Sequence, residues 1–455
     1  MNHRALLLTP LLWLFALALP KSQPAGCPTA NPVLVTNNAA SGTNSLRWAI
    51  ECINAVTPLT TINFSPGASI ISLAGSSPLP AITKKNAQIN GPVNTTVILD
   101  GAGLSVPAHG LTFQTSNAAV RNLSIRNFTF TAAGSGIHFS VGNGLLIENC
   151  RLYNNVNGVT AVGSDVGAGA NNLTVTGCNI GLNEAGAPAG NSQNGVRLFG
   201  ASGTALNASI RFSNIAHNGA AGVNTSNNVV ADIRNNSMYC NVSGGIVRTG
   251  GSQQGAPTIN PNSNYNILIG NAQPNSSVQL FVHDNTGCAG NPPCQGRTLL
   301  ATINAAPING LWTYTPPAGS LPNQAQITAT VTLAANTSVF STCFTLPDCS
   351  ALQAGLTPLP PLCFGQSNGT VNSNVSGGQP VFSYLWNNGF ITPNLNNMPA
   401  GFYSLTVTDN AGCTTEQSVQ LTEPPQMTLT TLQNNVSCFG LSDGGIQSFP
   451  GGGTP

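Results

Sequence analysis

Charge is what this chain has least of. Lys plus Arg number 13 and Asp plus Glu number 12 among 455 residues. Ionised side chains are therefore 5% of the chain, against about 25% in an ordinary globular protein. The net charge is +1. No basic stripe exists that would neutralise many phosphates, which argues against nucleic acid as a partner. Past the N-terminus there is no run of about 18 apolar residues, which excludes a membrane-spanning helix. Cys-x-x-Cys and paired-His spacings are missing too, so no metal site and no cofactor is expected. Basic residues stop altogether at Arg297; beyond it stand five acids, Asp348, Asp409, Glu416, Glu423 and Asp443. The first part carries 13 − 7 = +6 and the last part −5, a shift that marks separate modules.

What the chain does have begins with a basic tip at Arg4, an apolar run from Ala5 to Leu19, and small residues at Ala16, Ala18 and Ala25. This pattern reads as a secretory signal peptide over residues 1–26, cleaved between Ala18 and Gly26. A lipoprotein signal ending at Cys27 is the weaker alternative, because Pro24 fits poorly before it. Export places the 12 cysteines in an oxidising compartment.

A short phrase recurs between Arg121 and Thr249. It reads Leu123-Ser-Ile125, Leu145-Leu-Ile147, Leu173-Thr-Val175, Ala208-Ser-Ile210 and Ala231-Asp-Ile233, with spacings of 22, 28, 35 and 23. Five positions on stands another apolar residue: Phe130, Leu152, Ile180, Ile215 or Met238. Asn155, Asn183, Asn218 and Asn241 follow three further on, and each unit closes on Gly plus a β-branched residue. Three short strands per 22-residue unit make one coil of a parallel β-helix, which buries its inner face only when stacked. Asn at one corner of successive coils is expected to form an amide ladder. Leu46, Ala49, Ile50 and Ile53 have helical spacing and read as an amphipathic cap on the open end.

Val33-Leu-Val-Thr-Asn-Asn followed by Gly42-Thr-Asn-Ser-Leu-Arg-Trp-Ala-Ile50 resembles the opening of secreted bacterial right-handed β-helix proteins. The resemblance covers about Pro32 to Thr249 and speaks for fold more than activity. From Ala256 the strands at 266–270, 277–282, 299–303, 311–314 and 326–332 read as an all-β sandwich resembling bacterial immunoglobulin-like surface modules. Then come Cys363-Phe-Gly-Gln-Ser-Asn-Gly369, Ser376-Gly-Gly-Gln-Pro380, Phe382-Ser-Tyr-Leu-Trp386 and a segment ending at Gly412-Cys413. These resemble the SprB-type repeat of large adhesins on gliding Bacteroidota. A second copy starts at Ser437-Cys-Phe-Gly440 and reads as truncated. That resemblance implies a C-terminal sorting domain, and none is visible here.

The expected organisation is all-β. Residues 27–255 form a right-handed parallel β-helix with its cap, 256–346 an immunoglobulin-like sandwich, and 347–361 a linker. Residues 362–424 form one SprB-type repeat and 425–455 the start of another. Cys288 and Cys294 are expected to close a small loop, as are Cys343 and Cys349. Cys363 and Cys413 bracket the repeat and are expected to staple it, and Cys27 reaches Cys52 across the cap. Cys150 and Cys178 occupy one place in neighbouring coils. Stacked strands lie about 4.8 Å apart, too far for a relaxed disulfide, so both read as free thiols. Cys240 reads as free too, and Cys438 lacks a partner.

Catalysis on this fold needs paired carboxylates or an acid–base set in a groove. Aligning the phrases puts Glu148 beside Arg126 and Arg211 beside Arg234, with no two acids at equivalent positions. The long coils carry insertions near 163–170, 184–193 and 200–204, where a binding face would be shaped. Asp165, Glu184, Arg197 and His217 lie in or beside them as candidate binding residues. Glu148, Asp165, Glu184 and His217 are the weak catalytic candidates. Trp312 and Trp386 read as core. The leading expectation is a secreted or cell-surface protein for adhesion or glycan binding, with extracellular polysaccharide or cell-surface glycan as partner. A polysaccharide lyase or glycoside hydrolase is the alternative, and a purely structural filament the third reading.

Overall fold

The computed structural model describes residues 23–131, 133–163, 169–201, 205–226, 228–250, 254–284, 286, 288 and 293–454. Most of the expected signal peptide, and Asp165, lie outside the described residues. The chain is nearly all β, and its first unit is a parallel β-solenoid of about eight turns. Each full turn contributes a strand to three sheets. The first sheet gathers Val33–Val35, Thr61–Phe64, Gln88–Asn90, Ala118–Arg121, the end of Ser135–Glu148, Ala170–Thr176, Leu206–Arg211 and Val229–Arg234. The second runs from Ile70–Gly75 to Ser237–Tyr239 and the third from Leu111–Gln114 to Gly244–Arg248. Inward side chains stack in columns through parallel register. Val120, Ile147, Val175, Ile210 and Ile233 make one column; Leu99, Ile125, Leu152, Ile180, Ile215 and Met238 make another. All are buried.

This register corrects the sequence alignment at one coil. Leu123–Arg126 belongs to the second sheet, where Ile125 stacks on Leu152, not on Ile147. The first-sheet strand of that coil is Ala118–Arg121, whose small alanines hide the pattern. Glu148 therefore faces Arg121 across the ladder rather than Arg126, whereas Arg211 does stand beside Arg234.

One left-handed residue turns the chain from the first sheet to the second. It is Asn122, Asn149, Gly177, Phe212 and Asn235 in successive coils, with φ between 53° and 63°. Asn and Gly tolerate this conformation; Phe does so only under strain. The next corner carries the amide ladder. Asn155 Nδ2 donates to Asn191 Oδ1 at 3.2 Å, Asn191 to Asn218 at 2.9 Å, Asn218 to Asn241 at 2.8 Å, and Asn241 to Gln295 Oε1 at 2.9 Å. Asn183, expected in this ladder, is outside it. The inserted loop starts there, and its side chain accepts from Ala185 N and Ala187 N instead. Next to the ladder a glycine column lets the coils approach. A Cβ on Gly195 would lie 2.6 Å from the Gly222 carbonyl oxygen.

The helix Leu46–Ala55 caps the N-terminal end. Ser45 accepts from Trp48 N, and Leu46, Ala49, Ile50 and Ile53 are buried as expected. Cys27 and Cys52 are disulfide-bonded. The other expected pairings are corrected. Cys240, read as free, is bonded to Cys288, and Cys349 to Cys413; Cys294 and Cys343 are also disulfide-bonded. So Cys288 does not pair with Cys294, nor Cys343 with Cys349, because their partners come from distant segments rather than the next loop. Cys363 is free and exposed, as is Cys438. Cys363 cannot reach Cys413: it sits near Gly365, whose amide donates to Glu423. The strand Thr414–Leu421 separates Glu423 from Cys413, and eight residues of strand extend about 26 Å. Cys150 and Cys178 are free and buried.

The second unit consists of antiparallel sheets. Thr258–Ile259, Leu268–Asn271 and Leu311–Tyr314 face a sheet containing Thr298–Asn304, Ser277–His283, Gln326–Leu333 and Phe344–Thr345. Their shared core holds Leu268, Val278, Leu280, Ile327, Val331 and Trp312. A second sandwich-like module pairs Gln353–Leu359, Gly369–Ser376 and Leu395–Met398 with Ser383–Trp386, Gly401–Thr408 and Thr414–Leu421, around Trp386. Residues 353–359 were expected as linker. They form a strand because Ala354 and Leu356 pack into this core. The hairpin Thr428–Asn434 with Gly445–Gly451 repeats the first strand pair, every partner shifted by 75 positions (353 to 428, 376 to 451).

Candidate functional site

The outer face of the solenoid's first sheet carries two continuous rows of side chains. Strand alternation sends one row outward: Gln88, Ala119, Leu146, Thr174, Ser209 and Asp232 lie in register across six turns. A parallel row reads Asn90, Arg121, Glu148, Thr176, Arg211 and Arg234. Six strands at the ladder spacing span about 24 Å. Two shallow recesses lie along this face. One, of about 270 Å³, is lined by Gln88, Asn117, Arg121, Leu146, Asn172 and Thr174 among others. The next, of about 220 Å³, is lined by Asn172, Thr174, Asn207, Ser209, Arg211 and Asp232 among others. Asn172 and Thr174 line both, so the two form one trough.

Both acids of this face are held by arginines. Arg121 Nε donates to Glu148 at 2.9 Å, and its Nη1 donates to Gln88 Oε1 at 2.7 Å. Asp232 accepts from Arg211 and, at 2.6 Å, from Arg234 Nε. Burial works to raise the Asp232 carboxyl, but its hydrogen bonds from Arg234 and Arg211 outweigh it and lower the pKa. Along the border, Asn172 Nδ2 donates to Asn143 Oδ1 at 2.5 Å and Asn207 Nδ2 to Asn171 Oδ1 at 3.1 Å. The floor is small and neutral. Such a surface offers amides, hydroxyls and guanidinium edges for hydrogen bonds without a strong net field.

The candidates from the sequence do not gather at one point. Glu148 borders the trough, where it accepts from Arg121. Glu184 lies in the inserted loop over the second sheet and accepts from Tyr153 Oη at 2.8 Å. Arg197 projects from the third sheet, 5.9 Å from the Phe199 ring. His217 sits in a left-handed corner, edge-on to Tyr239. Burial, and then Arg297, lower its pKa. Glu184 instead closes a chain over the second sheet. Asp100, Arg126 and Tyr153 are in register in three turns. Arg126 Nε donates to Asp100 at 2.9 Å and its Nη1 donates to Tyr153 Oη at 3.1 Å. Burial, then the Glu184 hydrogen bond, push the Tyr153 phenol up to about 12. It stays a proton donor at neutral pH and is no base.

Gln88, Asn117, Asn172, Thr174, Asn207 and Ser209 were missed. Nothing marks them in the sequence except their outward phase on strands of the first sheet, or, for Asn117, a place just before one. For Gln88 and Asn117 that place is legible only once Ala118–Arg121 is recognised as a strand.

Among protein-family models, the SprB repeat matches residues 356–389. The match begins inside the strand Gln353–Leu359 and ends just after Trp386. This repeat is typical of cell-surface proteins. No curated protein matches the chain.

Proposed function

We propose that this chain is a secreted cell-surface adhesin of the Bacteroidota type. In this reading its solenoid binds a neutral polysaccharide lengthwise in the trough of the first sheet. The SprB match supports a surface adhesin. The observation that carries the ligand class is the trough itself: a floor of Ala119, Leu146, Thr174 and Ser209 that ends at Asp232, with Asp232 and the bordering Glu148 already bonded by Arg211, Arg234 and Arg121. An acidic polymer would meet three arginines already bonded to two carboxylates, a net charge of only +1 on this face. Hydrolysis would need two uncommitted carboxyls, and Glu148 and Asp232 are both committed. The antiparallel module before the repeat is read as immunoglobulin-like, and the leader over residues 1–26 as the export signal.

Phe212 gives the reading a discriminating test. The residue is 63% exposed, and its backbone occupies the left-handed corner where sibling coils have Asn or Gly. Strain of about 1 kcal/mol kept at an exposed aromatic points to a ligand contact. It directly follows Arg211, which lines the trough. Phe212→Asn is therefore expected to raise the unfolding midpoint while weakening retention on neutral polysaccharides at least about threefold. Affinity electrophoresis across neutral and acidic polymers, with new reducing ends followed in parallel, reads this out. Unchanged retention on every polymer removes Phe212 from the site, and product formation overturns the adhesin reading.

A further inference from the structure

A recess lies in the second unit. It has a volume of about 550 Å³, within the range of small-ligand sites. One wall is the turn Pro316, Pro317 and Gly319 after the strand Leu311–Tyr314. The other is Thr408, Gly412 and Thr414 at the hairpin turn of the repeat, and Tyr265 and Asn266 line it too. Among the described residues no charged side chain lines it.

The walls are fixed to one another. The Cys349–Cys413 disulfide ties the hairpin turn to the segment before the repeat. Tyr265 N donates to Ala411 O at 3.0 Å. The Tyr265 hydroxyl donates to Pro347 O at 3.0 Å and accepts from Gln324 N at 2.8 Å, so its ring is held at both ends. Tyr265, Leu352, Ala411 and Cys413 pack in one small apolar cluster. Asn323 is used up internally, donating to Asp348 and accepting from Cys349 N. A recess walled this way loses little entropy on binding, because its walls are already ordered.

What remains for a ligand is specific in kind. The side chains of Asn266, Thr315, Thr408 and Thr414 offer an amide and three hydroxyls. Tyr265, Pro316 and Pro317 offer flat apolar surface. Apolar faces beside uncharged donors and acceptors match a saccharide, whose rings have C–H faces and hydroxyl rims. A charged ligand finds no counter-ion, and an acyl chain would strip water from the amide and hydroxyls without replacing it. We infer that this recess is a second carbohydrate site, taking a neutral mono- to trisaccharide unit independently of the solenoid trough.

The test titrates the full chain with maltotriose, cellotriose and mannotriose by calorimetry and saturation-transfer NMR, with trigalacturonate and octaproline as competing chemistries. At least one neutral trisaccharide is expected to bind. Thr414→Trp, which fills the recess from an exposed position, is expected to weaken it at least about tenfold. Asn266→Ala removes only an exposed amide and is expected to cost about fivefold. It keeps the test open should Thr414→Trp unfold, which a thermal melt reveals. The inference is overturned if no neutral trisaccharide binds or if binding survives both substitutions. Tighter binding of trigalacturonate or octaproline, sensitive to the same substitutions, overturns it too.

Discussion

Cys150 and Cys178 hold their thiols inside the solenoid corner, donating to Glu148 O and Thr176 O at 3.3 Å, while Cys363 and Cys438 face solvent. Burial pushes the Cys178 thiol well up, and both thiols are buried, so access disfavours attack at either. An aromatic disulfide reagent is expected to titrate two thiols quickly in the native protein and all four in denaturant; four in the native state would mean the corner opens. The stacked pair was legible as free from ladder spacing alone. Cys240 was not, because its partner Cys288 lies outside the repeats. The histidines make a second prediction at this scale. His109, just before the third-sheet strand Leu111–Gln114, stacks at 4.0 Å on His138 of that sheet. Burial, then the neighbouring His138, lower His109 to about 4, and burial lowers His138. The folded state then binds fewer protons than the unfolded state between pH 6.5 and about 4, so stability falls as pH drops through that window. The lowered carboxyls of Asp100 and Asp232 add their loss only below about pH 3.8. The urea midpoint followed from pH 8 to 4 is expected to decline below pH 6.5 and flatten in His109→Phe, which keeps a ring in the stack. An unchanged slope in that variant would put the acid sensitivity elsewhere.

At the level of the coil, most of the pattern was legible in the sequence because inward columns demand apolar residues at fixed phase. What was not legible has one cause: an insertion or an alanine breaks the phase. Ala118–Ala119 hid a strand and so misplaced the partner of Glu148. The loop after Ile180 moved the ladder position from Asn183 to Asn191. The ladder shows what each coil contributes to the next. Asn218 is fully buried, accepts from Asn191 N and Nδ2, and donates to Asn241. Asn218→Ala removes its partners' bonds on both sides and leaves buried amides unpaired, at about 1–3 kcal/mol each. A loss of about 3 kcal/mol in unfolding free energy is expected by urea titration, against under about 0.5 kcal/mol for Asn183→Ala in the exposed loop. Equal effects would mean that the ladder adds nothing beyond side-chain volume.

For the whole solenoid unit, the stability question is what closes its two ends, since a stack of paired strands presents bare backbone at each. The N-terminal end is closed locally by the helix Leu46–Ala55 and Cys27–Cys52. The C-terminal end is closed by chain from beyond residue 254. Gln295 takes the next rung of the ladder, and Met238 N donates to Gly296 O at 2.7 Å. Ile233 N donates to Thr337 Oγ1 at 2.8 Å, and Arg297 stacks 4.4 Å over Tyr239. Both donated segments, 285–297 and 334–339, belong to the solenoid's compact unit. This was invisible in the sequence, where neither segment carries the coil repeat. A chain of residues 23–254 thus loses the partners of Met238 N, Ile233 N and Asn241 and exposes the parallel edges of Val229–Arg234, Ser237–Tyr239 and Gly244–Arg248. It is expected to elute as large assemblies in size exclusion with light scattering, while the full chain stays monodisperse. Extending it to residue 345 restores every donated contact and is expected to restore the monodisperse species. If residues 23–254 are already monodisperse and equally stable in urea, the last coil is self-sufficient and the donated rungs are incidental.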